Sequence, residues 1–458
     1  MLLVARHVAA AVDRTTDRPR VGVMLPTSGL FPASMIAGWR LGRTMVPLNY
    51  LLSKDDLAFV IDDAELDAVI TVKPMLEFTG PLPESVKTIL LDEMNFKSLP
   101  ARSPRRPMAP ENPAVILYTS GTSGRPKGVI LTDRNLNANI DQVTEWIHFK
   151  PADSMLGVLP QFHTFGLTVL TLLPLALGGR VTYTARFMPK RILDLAREHR
   201  PTIFIGIPSM YNALRLAKSA KAEDFASIRL AVAGGEPLPD AVSDGFHDVF
   251  GLRICEGYGL TETAPVANVC RPEEYRAHSV GKALPNIEER IVGEDGTILG
   301  PDQDGEIRIK GPNVMPGYFK RPEETAAAFD EEGFFRTGDM GRMAADGHLS
   351  ITGRIKEMLI IGGENVFPRE IEEVLDRHPS VKASAVIGVP DTSRGELPVA
   401  FVELVDDATF DEAAIRSFCR NEIAQFKVPR EIRLLEALPR NPTGKIQRRQ
   451  LTAETPGL

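Results

Sequence analysis

Short apolar runs punctuate the chain at residues 21–25, 68–72, 114–118, 202–205 and 229–233. Runs of this length, rich in Val, Ile and Ala and bounded by Gly, Pro or charge, read as strands buried on both faces. Helical spacing fills the intervals. Residues 32–41 fit a helix with Pro32 in its first turn, where the missing N–H leaves nothing unsatisfied. This alternation predicts parallel α/β layers. Residues 81–113, dense in proline and charge, read as a surface covering. From 281 to 310 the texture changes to short strands separated by Gly-Glu-Asp-Gly and Pro-Asp-Gln-Asp-Gly turns, which predicts an antiparallel sheet or small barrel. A last change comes near Arg354. A strand at 355–361 ends in Gly362-Gly363, and Pro368 opens a helix over 368–377. Two strands, a helix over 411–425 and another strand follow. The expected architecture is α/β. A large N-terminal domain (1–354) holds layered α/β subdomains plus a small barrel-like sheet, and a small mobile α+β C-terminal domain (355–458) follows it.

Composition narrows the class. The 458 residues are 43% hydrophobic and 25% charged, as in soluble globular proteins and unlike disordered chains. The balance of 53 basic against 60 acidic residues, net −7, argues against binding nucleic acid or anionic membrane in bulk. Cys255, Cys270 and Cys419 show no metal-ligand spacing and read as buried thiols in a reducing cytoplasm. Residues 1–14 are apolar in flavour, but Arg6 and His7 interrupt them and no cleavage-type stretch follows. Residues 154–179 carry no Lys, Arg, Asp or Glu. Their apolar heart, 165–177, is too short for a bilayer and contains Pro174, so a buried helix beside a pocket is expected.

The densest chemical signal is residues 118–128, Tyr-Thr-Ser-Gly-Thr-Ser-Gly-Arg-Pro-Lys-Gly, directly after a predicted strand. Glycines let the backbone approach an anion closely, and hydroxyls and N–H groups then donate to phosphate oxygens. A Walker A loop needs Gly-Lys-Ser/Thr, whereas Lys127 follows Pro126 and precedes Gly128. A hydrolase nucleophile elbow needs a second glycine that Ser123 lacks at the required offset. The loop is a phosphate cradle of another kind.

That string resembles the signature loop of the adenylate-forming superfamily: acyl- and aryl-CoA synthetases, peptide-synthetase adenylation domains and beetle luciferases. Four more strings match in order: Tyr-Gly-Leu-Thr-Glu-Thr at 258–263, Thr-Gly-Asp at 337–339, Gly-Arg-Ile-Lys at 353–356 and Asn-Pro-Thr-Gly-Lys at 441–445. The likeness runs from about Arg20 to Leu451. It implies that Thr119, Ser120, Gly121, Thr122, Ser123, Gly124 and Lys127 cradle the phosphates of ATP. Gly235, Glu236, Tyr258 and Gly259 would border the nucleotide, with Tyr258 flat against adenine. Thr261 would hydrogen-bond the α-phosphate, and Thr122 and Glu262 would hold Mg²⁺. Asp339 would accept both ribose hydroxyls, with Arg354 reaching ribose and phosphate. Lys445 would bridge the acid's carboxylate and the α-phosphate. Lys356 matches a hinge, Gly362 and Gly363 the wall of a pantetheine tunnel, and His163 a histidine that orients the acid. Residues 205–208, 233–236 and 256–257 would surround that acid.

The implied reaction activates a carboxylic acid as acyl-AMP and passes it to coenzyme A, releasing pyrophosphate and AMP. ATP, Mg²⁺ and CoA are the expected cofactor and co-substrates. The glycines and the uncharged stretch near His163 favour an aliphatic acid of medium or long chain, and no Asp or Lys addresses an amino acid. An acyl carrier protein as acceptor is the nearest rival. A kinase or ATPase releasing ADP, or a non-catalytic degraded ligase, are more distant ones. Expected partners are small molecules, with no nucleic acid and no transmembrane segment. Oligomeric state and peripheral membrane contact stay open. Against the family, the chain begins late before the strand at Val21 and is short between Val72 and Pro113.

Overall fold

The computed structural model describes residues 1–120, 125–362, 364–391, 394–440 and 445–457, with only the main chain at Ser120. Among the described residues two seven-stranded sheets form most of the large domain. In the first, Pro113–Ser120, Thr44–Pro47, Arg20–Val23, Ala68–Thr71 and Lys87–Leu90 run parallel. Pro126–Thr132 and Gly317–Tyr318 extend it antiparallel at one edge. Every residue of Ala68–Thr71 is buried, the signature of a strand covered on both faces. The edge strand Lys87–Leu90 corrects the reading of 81–113 as covering alone. Val86, Ile89 and Leu91 are buried beneath it, and its lysine and the surrounding prolines hid a one-sided edge strand.

The second sheet pairs Arg180–Tyr183, Ser154–Gly157, Ile203–Gly206, Leu230–Ala233 and Ile254–Gly259 in parallel, then Val266–Val269 and Lys282–Ala283 antiparallel. Helix Asp133–Ile147, opened by a Thr132–Asn135 capping box, stitches the large domain together along an unusual polar face. Asn135 donates to the carbonyls of Pro312 and Val314, Asn139 to Val266, Gln142 to Pro285 and Trp146 to Val269. Helical spacing thus carries a row of buried amides against loop carbonyls that a sheet ladder cannot satisfy.

The uncharged stretch forms consecutive helical turns, Thr164–Leu167, Thr168–Leu172 and Leu173–Leu177, most of them buried. Pro174 lacks the N–H that would bond the Leu170 carbonyl, and the Tyr183 hydroxyl donates to that carbonyl instead, at 2.7 Å. Helix Leu2–Thr15 buries Ala5, Val8, Ala9 and Val12 against helix Leu30–Arg40, so the apolar N-terminal residues are an amphipathic core element.

Beyond these sheets, Glu288–Val292, Gly305–Lys310, Phe335–Met343 and Leu349–Arg354 form the expected antiparallel sheet. The small domain has its own sheet of Glu364–Val366, Leu359–Ile361, Gly395–Leu404, Val381–Asp391 and Glu431–Leu434, with helices Pro368–Leu375 and Glu412–Glu422 over a separate apolar core. Among the described residues no helix is long and apolar enough to cross a membrane.

Candidate active site

Pro113–Ser120 and Pro126–Thr132 form a hairpin with Thr119 opposite Lys127 and Ser120 opposite Pro126. These two strands flank the glycine-rich string in sequence; Gly121, Thr122, Ser123 and Gly124 themselves lie outside the described residues. The Lys127 ammonium sits 4.1 Å from the centre of the Tyr318 ring and 3.3 Å from a Glu324 oxygen. The Tyr318 hydroxyl donates to Glu262 at 2.9 Å. One ring thus holds the loop lysine on its face and Glu262 at its edge. Burial, reinforced by the Glu262 charge, pushes the phenol's pKa up and keeps it a donor. Thr261 and Glu262 occupy the turn Thr261–Thr263 that ends strand Ile254–Gly259. Hydrogen bonds fix that turn, among them Leu260 N–H to the Thr263 hydroxyl at 2.9 Å and Met315 N–H to the Glu262 carbonyl at 2.8 Å.

The next wall comes from the antiparallel sheet, whose register sets Asp339 opposite Arg354. Asp339 is only 3% exposed. It accepts from the Tyr258 hydroxyl at 2.8 Å and pairs with Arg354 Nε at 2.8 Å. Burial raises its pKa, while Arg354, the Tyr258 bond and Lys445 pull the other way without overcoming it. Gly259 follows Tyr258 where a side chain has no room: a Cβ there would stand 1.8 Å from the Pro265 carbonyl oxygen.

Lys445 closes the third side. It borders a cavity of about 140 Å³ together with Gly235, Glu236, Tyr258, Gly259, Asp339 and Arg354. Burial and then the Arg354 charge lower its pKa, against the pull of Glu357, Asp339 and Glu236. Glu236 is pushed up by burial and held back by Lys445 and Arg440. The His163 ring is crowded by the cleft wall yet reached by solvent, and burial plus the Lys445 charge bring its pKa down to about 4. It is neutral at pH 7, and because Nδ1 accepts from Phe165 N–H at 3.3 Å, Nε2 carries the proton. Lys356, in the turn Ile355–Glu357, has its pKa lowered by burial and by the cations Lys127 and Arg354.

The residues read from the sequence are therefore largely gathered: the hairpin bearing Thr119, Ser120 and Lys127, then Thr261, Glu262, Lys356, Asp339, Arg354, His163 and Lys445. Gly362 is not among them. It lies in the turn between Leu359–Ile361 and Glu364–Val366, in a hairpin whose Asn365 reaches Glu294 at 3.2 Å. Gly363 and residues 441–444 lie outside the described residues. Tyr318 and Glu357 belong to the site and were not legible beforehand. Tyr318 stands in a bare Gly-Tyr pair, and Glu357 resembles any solvated acid after a lysine.

Known proteins resemble this chain over nearly its whole length. The profile of the AMP-binding enzyme family matches residues 4–319, and that of the AMP-binding enzyme C-terminal domain matches 370–445. A sulfoacetate–CoA ligase of Cupriavidus necator is 36% identical over 444 residues, covering 94% of this chain and 86% of that protein. A long-chain-fatty-acid–CoA ligase of Bacillus subtilis is 33% identical over 484 residues, covering 95% and 85%. ATP-bound MatB from Rhodopseudomonas palustris superposes with a TM-score of 0.89 at 32% identity, over 98% of this chain and 92% of that one.

Proposed function

The chain belongs to the AMP-binding enzymes, as an AMP-forming acid–CoA ligase, and we propose that its site activates an aliphatic carboxylic acid as acyl-AMP and then transfers the acyl group to the thiol of coenzyme A. The observation that carries this reading is the enclosure of Lys445 with Asp339, Arg354 and Glu236 in one cavity, although they come from distant parts of the chain.

A carboxylate is a poor electrophile, and joining it to AMP supplies a leaving group. An acid oxygen attacks the α-phosphorus of ATP and pyrophosphate departs. The glycine-rich string with Lys127 would hold the phosphates, Thr261 the α-phosphate, and Asp339 the ribose hydroxyls, with Tyr258 beside adenine and Arg354 bridging ribose and phosphate. Lys445 places an ammonium against the charge that develops at the pentacoordinate phosphorus. Neutral His163 donates through Nε2 and orients the acid's carboxylate. Glu262 suits Mg²⁺, a hard cation that takes few carboxylates and completes its shell with phosphates and water; Thr122 would be the second protein ligand. Magnesium, when bound, draws negative charge from the phosphates and makes pyrophosphate a better leaving group.

Thioester formation needs the Lys445 face withdrawn. We assign that movement to rotation of the small domain, 355–458, about Lys356, which would present Gly362 and Gly363 to the pantetheine arm in place of Lys445.

An apolar acyl group is favoured by the acid side of the cleft. The Phe165 ring stands 3.1 Å from where a Gly234 side chain would begin, so aromatic carbon and glycine face each other with no charge between them. Relatives named for sulfoacetate and for long-chain fatty acids match at nearly the same identity, so likeness does not choose between acids. We assign a medium- or long-chain fatty acid on the apolar wall. The test is pyrophosphate release with ATP, Mg²⁺ and a panel of aliphatic, sulfonated and aromatic acids, followed by thioester formation with CoA or acyl carrier protein. Aliphatic acids with CoA should turn over fastest. ADP as product would overturn the reaction class, preference for a sulfonated acid the acid assignment, and preference for the carrier the acceptor.

A further inference from the structure

Lys445 lies among carboxylates that compete for it. Its ammonium feels Glu357, Asp339 and Glu236 within one cavity. Asp339 is already engaged by Tyr258 and Arg354. Glu357 is engaged by Arg448, whose Nη1 donates to it at 2.8 Å. The remaining face of the Arg448 guanidinium straddles Glu372, with Nε 2.7 Å from Oε1 and Nη2 on Oε2. Glu372 is in turn fixed, since Oε1 also accepts from Val386 N–H at 2.8 Å. Three donors of one planar cation therefore link the hinge turn Ile355–Glu357, helix Pro368–Leu375 and the segment that carries Lys445.

The coupling to Lys445 is short. Only two residues separate it from Arg448. The backbone around it is closed by an antiparallel bridge between Arg440 and Ile446 and by Gln447 N–H to the Pro439 carbonyl at 2.7 Å. Arg440 is pinned to Glu403 on the other flank. Given that placement, the direction of the long lysine side chain is sensitive to which of the surrounding carboxylates can reach it.

We infer that Arg448 is a positioning residue for adenylation: by holding Glu357 and Glu372 it keeps Glu357 from capturing Lys445, so the ammonium is presented to the α-phosphate and the acid. Arginine suits the task because its fork satisfies two carboxylates at once, which a lysine's point charge does not. The inference rests on the adenylation reading of the site.

The test compares wild type, Arg448→Met, Arg448→Lys and the double variant Arg448→Met/Glu357→Gln in each half-reaction. Adenylation is read as pyrophosphate release, thioester formation as turnover of supplied acyl-adenylate with CoA, and thermal melting reports folding. A misdirected catalytic group typically lowers its step on the order of 100-fold. Arg448→Met should therefore lower kcat for adenylation by about 30- to 100-fold, with KM for ATP within about threefold and thioester formation within about threefold. Removing the competing carboxylate as well should restore adenylation by about fivefold or more. Equal loss of both half-reactions, or a double variant no better than the single one, overturns the inference. Should Arg448→Met fail to fold, Arg448→Lys carries the test: adenylation alone is expected to fall by about fivefold, and loss in both steps or in neither overturns it. Wild type that releases no pyrophosphate with any acid overturns the underlying reading. Wild type that does so while every Arg448 variant matches it overturns only the role of Arg448.

Discussion

Asp339→Asn separates nucleotide binding from catalysis. Asparagine keeps the shape and one carbonyl oxygen, so it can still accept from the Tyr258 hydroxyl, but it loses the charge and the second acceptor. Two effects follow. The Arg354 pair is broken; the arginine side chain is 49% exposed, so this is worth about 0.5–1 kcal/mol. The ribose also exchanges a charged acceptor for a neutral amide with only one oxygen, a loss of about 1.5–2 kcal/mol. The pair is present with or without ATP, so the ribose contribution sets the effect on binding, and about 1.5–2 kcal/mol corresponds to about a 10- to 30-fold rise in KM for ATP. The kcat should change less than about fivefold, since Asp339 holds the sugar and not the reacting phosphorus. Folding should not suffer. Burial raises the Asp339 pKa, so the folded protein resists this charge, and a neutral replacement should leave the melting temperature equal or slightly higher. Initial rates of pyrophosphate release across ATP concentrations, with a melting curve, give both readings. A KM within twofold of wild type with a collapsed kcat would refute the assignment, as would a large fall in melting temperature.

Two further substitutions probe the scaffold. Gly259→Ala would put a methyl 1.8 Å from a backbone oxygen and 2.8 Å from its carbon, neither of which can rotate aside. A loss of about 3 kcal/mol in urea unfolding with unchanged slope is expected, and wild-type stability would contradict the packing. Glu289→Gln tests a buried carboxyl behind Tyr258: its Oε1 is enclosed without a hydrogen-bond partner among the described residues, and its Oε2 accepts from Asn268 at 3.1 Å. Burial raises its pKa from 4.5 to about 7. The folded state therefore holds a proton that the unfolded chain releases, and stability is lost as pH rises from 4.5 to 7. Glutamine should stabilise the fold at pH 8 by up to about 2–3 kcal/mol, read as a higher melting temperature, and leave the melting temperature unchanged at pH 4; an equal effect at both would refute the burial argument.

What the sequence made legible is what local chemistry writes down. Strands such as Ala68–Thr71, buried on both faces, appear as unbroken apolar runs, and the phosphate loop shows because glycine, hydroxyl and lysine coincide after one of them. Helix Leu2–Thr15 is written there as well: Ala5, Val8, Ala9 and Val12 recur at helical spacing, but the alanines blur the contrast and Arg6 and His7 interrupt it. The rest is tertiary. Glu357 and Arg448 are 91 positions apart, and Glu372 and Arg448 are 76 apart, so no spacing announces a shared clamp. Arg448 alone reads as a solvated basic residue near a terminus. Tyr318 joins Lys127 to Glu262 only because the two-residue strand Gly317–Tyr318 pairs with the loop's own hairpin.

The most direct measurement removes the Lys445 ammonium and follows the two half-reactions separately. Lys445→Ala should lose at least about 100-fold in pyrophosphate release from ATP and acid. The same protein should still convert supplied acyl-adenylate and CoA to thioester at nearly the wild-type rate. If both steps fall together, or if pyrophosphate release survives, Lys445 does not act on the α-phosphorus and the convergence of the two domains on one reacting centre is wrong.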